Sequence, residues 1–147
     1  MKILIDADAC PVVKATIALA KQYRLPCILF CDTAHRLEDD YAQTVMVDRG
    51  ADAVDFVLVN QATAGDLVIT QDYGLASMCL ARGAQVLHQD GWSYTADNID
   101  ALLFQRHASA KHRRSGGRIK GPKKRTPEQD KSFALALERI LQTTVQG

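Results

Sequence analysis

No stretch of this 147-residue chain approaches the ~20 consecutive apolar residues that span a bilayer. A secretory leader is missing as well, because Asp6 and Asp8 interrupt the apolar start. A cytoplasmic protein with no membrane association is therefore expected. Cysteine is scarce: Cys10, Cys27, Cys31 and Cys79 are the only four. Without a secretion signal, disulfides are not expected. Cys27 and Cys31 stand four apart in CILFC, outside the usual zinc-knuckle spacing, and read as buried thiols. Cys10 reads as a small packing residue beside an acidic turn. Internal repeats and a second domain are also lacking. With 47% hydrophobic and 24% charged residues, the composition suits one soluble globular domain over residues 1–147.

The net charge of +1 conceals an asymmetry. Residues 1–104 carry 7 Lys/Arg against 14 Asp/Glu, whereas residues 105–125 carry 9 Lys/Arg and no acid. An acidic body beside a concentrated basic segment points to an anionic partner.

The element order alternates between strand and helix. Ile3, Leu4 and Ile5 form an unbroken apolar run, the pattern of a strand buried on both faces of a parallel sheet. Pro11 sits where a helix can take it in its first turn, and that helix runs to about Tyr23. Further strands are expected at 27–31, 44–47, 67–70 and 84–87. Helices are expected at 53–62 with Asp52 as N-cap, at 74–82 closed by Gly83, and from Thr95 or Asp97 to about Arg106. Residues 34–41 form a short helix or loop, and residues 88–94 a loop carrying Trp92. Pro127 to about Leu141 forms a terminal docking helix, with Phe133, Leu135, Ala136, Leu137, Ile140 and Leu141 as its apolar stripe. Crossover helices imply parallel strands with right-handed connections. The expected architecture is a three-layer α/β/α sandwich around a mostly parallel five-stranded sheet.

Aspartates gather at the expected strand ends: Asp6 and Asp8 after the first strand, Asp32 after the second, Asp72 after the LVIT strand. Those ends share one sheet edge, and ligands of open parallel sheets sit beyond it. Two like charges ~4 Å apart repel by about 4 kcal/mol at an effective dielectric of 20. A hard divalent cation, Mg²⁺ or Mn²⁺, offsets that repulsion and suits an all-oxygen donor set. Asp6, Asp8 and Asp72 are the candidate ligands. With Asp55, at the start of a helix that reaches the same edge, they make the candidate catalytic set. In the competing reading each acid serves only its own surroundings, with Asp8 capping the next helix, Asp6 bonding a neighbouring loop and Asp72 capping the helix at Tyr73.

The stretches IDADACPV (5–12), GADAVDFVLV (50–59), GDLVITQDYGLA (65–76) and RRSGGRIKGPKKRTPEQDKSF (113–133) are similar to the YaiI/YqxD family. The arrangement also resembles PIN-like nucleases. That resemblance implies a PIN-like fold and a Mg²⁺/Mn²⁺ carboxylate cluster that cuts phosphodiesters, chiefly in RNA. By position, Asp6 matches the first-strand acid, Asp72 the acid after the fourth strand and Asp55 the helix acid. Asp8 matches the second acid of the family's opening motif. The central glutamate of many PIN nucleases has no clear counterpart; Glu38, beside Asp39 and Asp40, is nearest.

In residues 106–125, Arg106, Arg113, Arg114, Arg118, Lys120, Lys123 and Lys124 are the candidate phosphate contacts. His107 and His112 read as solvated. Trp92 and Tyr94 suit either base stacking or rim packing. The leading expectation is a metal-dependent nuclease acting on RNA or single-stranded nucleic acid. A non-catalytic nucleic-acid-binding module is one alternative. A haloacid-dehalogenase-type phosphatase is another, because DADAC resembles that family's opening motif, with Thr70 as its later hydroxyl and Asp90 as the acid after the fifth strand.

Overall fold

The computed structural model describes residues 1–32, 37–48, 53–105 and 124–146. In chain order the elements are β1 (Ile3–Asp6), α1 (Val13–Gln22), β2 (Cys27–Asp32), β3 (Gln43–Val47), α2 (Ala53–Gln61), β4 (Leu67–Ile69), α3 (Tyr73–Ala81), β5 (Gln85–Leu87) and β6 (Ser93–Tyr94). A helix over residues 99–105, α4, and α5 (Pro127–Gln146) complete them. No helix among the described residues is long and apolar enough to cross a membrane.

The strands form one sheet in the order β3-β2-β1-β4-β5-β6. The first five are mutually parallel, and β6 runs antiparallel to β5. Five strands are expected from the sequence and the described residues form six. The extra one lies in the expected loop 88–94 and is only two residues long, too short to show an alternating pattern. It forms because the chain doubles back after β5: the Gly91 amide donates to the His88 carbonyl and the His88 amide to the Trp92 carbonyl. Gly91 takes a φ of +95°, and a Cβ there would meet the Ser132 carbonyl oxygen at 2.6 Å. The turn is thus seated directly on the backbone of α5.

Pleat alternation divides the sheet side chains between two cores. Ile3, Ile5, Leu29, Leu67 and Ile69 face one way and pack with Ile17 and Ala20 of α1 and with Phe133, Leu137 and Leu141 of α5. Leu4, Phe30, Val68 and Val86 face the other way and meet Leu58 of α2, Leu75 and Cys79 of α3 and Ile99 of α4. Helices therefore cover both faces, as an α/β sandwich requires. Phe133, Leu137 and Leu141 are spaced by four, so α5 presents one narrow ridge. Leu135, expected in that stripe, points outward and is 64% exposed.

Pro11 lies outside its helix, two residues before Val13. Val12 is the N-cap and lacks a side-chain cap bond, while Thr16 Oγ1 donates back to the Val12 carbonyl at 2.8 Å. Gly83 ends α3 as expected: at φ +86° its amide bonds the Leu80 carbonyl, and the Ala84 amide bonds that of Cys79. The expected Asp52 cap lies outside the described residues, as do residues 33–36.

At the amino-terminal edge of the sheet, the buried Asp66 carboxylate accepts from the Lys2 amide, Lys2 Nζ, the Thr63 amide and Thr63 Oγ1. Burial alone raises this carboxyl. The donors from Lys2 and Thr63 outweigh burial and hold it down at about 2. An acid depressed in the fold stabilises at pH above its unfolded value and loses that contribution as pH falls through its folded value. Asp66→Ala is expected to cost about 2–4 kcal/mol in urea unfolding at pH 7, and less toward pH 2. A cost below about half a kcal/mol contradicts the anchoring role.

Candidate active site

The chain extends from β1 in both directions across the sheet, through β2 and β3 on one side and β4, β5 and β6 on the other. Such a reversal of strand order opens a crevice beyond the carboxyl ends of the strands flanking it. Here these are β1, which ends in Asp6, and β4, which is followed by Thr70 and Asp72.

Thr70 joins the two sides. Its buried hydroxyl donates to Asp6 Oδ2 at 2.8 Å and accepts the Asp72 amide at 3.0 Å. Asp72 caps α3, Oδ1 accepting from the Gly74 and Leu75 amides at 2.9 and 3.2 Å. Asp8 Oδ2 accepts the Asp32 amide at 3.1 Å, tying the loop after β1 to the end of β2. Asp8 therefore braces a neighbouring strand and does not cap α1, the local role weighed for it. Ala9, between Asp8 and Cys10, sits at φ +57°, the left-handed region that L-residues seldom adopt. Asp55 lies in the first turn of α2, which follows β3 and so starts at this same edge. The positive amino ends of α2 and α3 both face the carboxylates and soften their mutual repulsion.

The four sequence-predicted acids share one electrostatic neighbourhood. Burial raises the Asp6 carboxyl, the Thr70 hydrogen bond lowers it, and the charges of Asp55, Asp72 and Asp8 raise it again, to about 6. Two further acids follow strand ends. Asp32 closes β2 and gives its amide to Asp8. Asp48 is exposed beyond β3. Asp39, beside Glu38, is committed to a turn through the Tyr41 and Ala42 amides, and its charge is felt by Cys27 at the amino end of β2.

Asp6, Asp8, Asp55 and Asp72 offer a hard cation the oxygen donors it prefers, and the like-charge load on Asp6 is what such an ion relieves. The set is not a preformed cage: among the described residues, no three His, Cys, Asp or Glu side chains converge closely enough to hold one ion. The oxygen donors are of the kind a divalent ion takes, but among the described residues the side chains keep local hydrogen bonds and share no ion position.

Of the basic candidates only Lys124, which is exposed, is described. Arg106, Arg113, Arg114, Arg118, Lys120 and Lys123 lie outside the described residues, as do His107 and His112. Arg125, absent from the candidate contacts, proves to be an anchor. Its guanidinium reaches Asp90 Oδ1 at 2.7 Å, the Gln89 carbonyl at 2.7 Å and Asp130 Oδ1 at 2.6 Å. It also lowers the Cys10 thiol, although burial outweighs it and raises that group. Held to Gln89 and Asp90, the basic run ends at the turn between β5 and β6. No sequence signal separates Arg125 from its cationic neighbours. Trp92 stacks on His88 with centroids 4.3 Å apart and meets Tyr94 edge-on at 4.7 Å, which is a packing role.

The profile of the Uncharacterized BCR, YaiI/YqxD family matches residues 4–143. A UPF0178 protein of Exiguobacterium sibiricum is 51% identical over 141 residues, 96% of each chain. One of Clostridium acetobutylicum is 47% identical over 143 residues, 96% of this chain and 97% of its own. One of Ruminiclostridium cellulolyticum is 46% identical over 147 residues, all of this chain and 96% of its own. No solved structure matches the chain.

An acid raised in the fold favours the folded state most when protonated, below its unfolded value, and loses that advantage as pH rises through its folded value of about 6. Asp6→Asn is therefore expected to be more stable than the parent at pH 8, by up to about 2–3 kcal/mol. Chemical denaturation should show that gap closing by pH 4. An asparagine variant less stable than the parent at both pH values contradicts the crowding of charge on Asp6.

Proposed function

The chain belongs to the YaiI/YqxD family, and from the carboxylates at its sheet edge we propose that it is a PIN-like, metal-dependent nuclease acting on RNA or single-stranded nucleic acid. The observation that carries this reading is Thr70, bonded to the Asp6 carboxylate on one side and the Asp72 backbone on the other where the strand order reverses, with Asp6 raised by burial and by the charges of Asp55, Asp72 and Asp8. A carboxyl so loaded is ready to exchange its proton for a cation.

Asp6, Asp8 and Asp72 would hold Mg²⁺ or Mn²⁺, and Asp55 would complete the shell or orient water. When bound, the ion would activate water and neutralise charge on the phosphoryl group. Thr70 fixes the Asp6 carboxyl from one side and the Asp72 backbone from the other, so the two acids keep their spacing. The basic segment, Arg106, Arg113, Arg114, Arg118, Lys120, Lys123 and Lys124, would hold the nucleic-acid backbone through phosphate contacts. Arg125 fixes the end of that segment at the turn after β5.

One observation favours a second reading, a nucleic-acid-binding module without turnover: no three candidate ligands among the described residues already share an ion position. The phosphatase alternative is weaker, because Asp90, the acid it needs after β5, is engaged by Arg125 at 2.7 Å.

Labelled single-stranded RNA and DNA incubated with Mn²⁺ or Mg²⁺ test the proposal. The parent should cut, and Asp6→Asn should cut at least about 100-fold more slowly, the scale expected for losing a group that stabilises transition-state charge. Equal cutting by both proteins, or by neither, refutes the enzymatic reading. Binding that persists in EDTA without any cleavage supports the binding module.

A further inference from the structure

Tyr94 carries an observation that the carboxylates do not explain. It is 2% exposed, and its hydroxyl is buried without a hydrogen-bond partner among the described residues. Leaving a buried donor unsatisfied is costly, and such a group calls for a reason. Its position supplies one. Tyr94 lies on β6 opposite Val86, the middle residue of β5, and packs on the face that α3 covers. Its ring meets Tyr73 edge-on at 5.9 Å, and Tyr73 is the first residue of α3, next to Asp72. Burial first, then Tyr73, Asp72, Asp6 and Asp90, push the phenol well above its ordinary value. The group therefore keeps its proton at any working pH, and its hydroxyl lies within the field of the crevice acids.

We infer that the Tyr94 hydroxyl is a substrate-binding donor, bonding a phosphoryl oxygen of a ligand held at the carboxylate edge. This deepens the reading of that edge as a site for phosphate esters and rests on it. A phosphoryl oxygen only accepts, as an unsatisfied O–H requires, whereas water on a cation turns its hydrogens outward and accepts poorly. A neutral donor also suits an acidic pocket better than a cationic one, which the carboxylates would pair and hold. Arg125 illustrates this: it is committed to Asp90 and Asp130.

Tyr94→Phe removes the hydroxyl and leaves the ring. Three measurements on parent and variant test the inference: the melting temperature without ligand, Mn²⁺ affinity, and inorganic phosphate affinity by calorimetry with and without Mn²⁺. The variant should melt no lower than the parent and bind Mn²⁺ equally well, yet bind phosphate about tenfold more weakly. A variant that melts lower or fails to fold shows that the hydroxyl already has a structural partner, and overturns the inference. So does equal phosphate affinity in the two proteins, a parent that binds no phosphate in either condition, or a loss of Mn²⁺ affinity in the variant. If the parent binds no Mn²⁺ but binds phosphate through Tyr94, the metal reading fails and this inference stands.

Discussion

Strand β1 is hydrogen-bonded on both sides, to β2 and to β4, and the chain builds outward from it in both directions. That placement is the constraint from which the site follows. Because β1 is central, its three apolar residues are fully buried and its terminal aspartate cannot retreat into bulk water. Because the strand order reverses beside it, the segment after β4 returns to the same edge, bringing Thr70 and Asp72 against Asp6. The crossover after β3 delivers Asp55 to that edge, since a parallel crossover must begin its helix where its strand ends. Charge is concentrated there by topology, and Asp6, which closes the central strand, bears the consequence.

The two ends of the sheet show how environment decides the behaviour of one residue type. Asp66 and Asp6 are both withdrawn from solvent. Asp66 is surrounded by donors, four hydrogen bonds from Lys2 and Thr63, and is held at about 2. Asp6 receives one hydroxyl and faces three like charges, and is held at about 6. The first arrangement stabilises the fold by locking the start of β1 to the approach of β4. The second destabilises it at neutral pH, because the folded chain must hold that charge among three others. The Arg125 clamp lies between these cases: it fastens the β5–β6 turn to α5 and fixes the end of the basic run there.

Much of this is legible in the sequence. The apolar runs of β1 and β2 lack a polar face, and only a sheet covered on both sides accepts such strands. Asp6, Asp8 and Asp72 mark strand ends because each follows closely on an apolar run. Asp55 is readable as a helix start from the polar residues before it. What escapes the sequence depends on tertiary contact. β6 is two residues long and exists because Gly91 lets its turn rest on α5. Leu135 is apolar yet points outward, since α5 needs only one ridge to cover its face. Arg125 looks like its neighbours until Asp90 and Asp130, distant from each other in the chain, converge on it. The buried hydroxyl of Tyr94, without a partner among the described residues, has no signature in a local stretch.

All of this requires Asp6, Asp8, Asp55 and Asp72 to behave as one electrostatic unit. A carbon-13 NMR titration of the aspartate side-chain carboxyls reads that coupling directly, in the parent and in Asp55→Asn and Asp72→Asn. The Asp6 midpoint should lie at about 6 in the parent and move down in each variant. A midpoint at about 4, the ordinary aspartate value, unmoved by either substitution, would contradict the coupling.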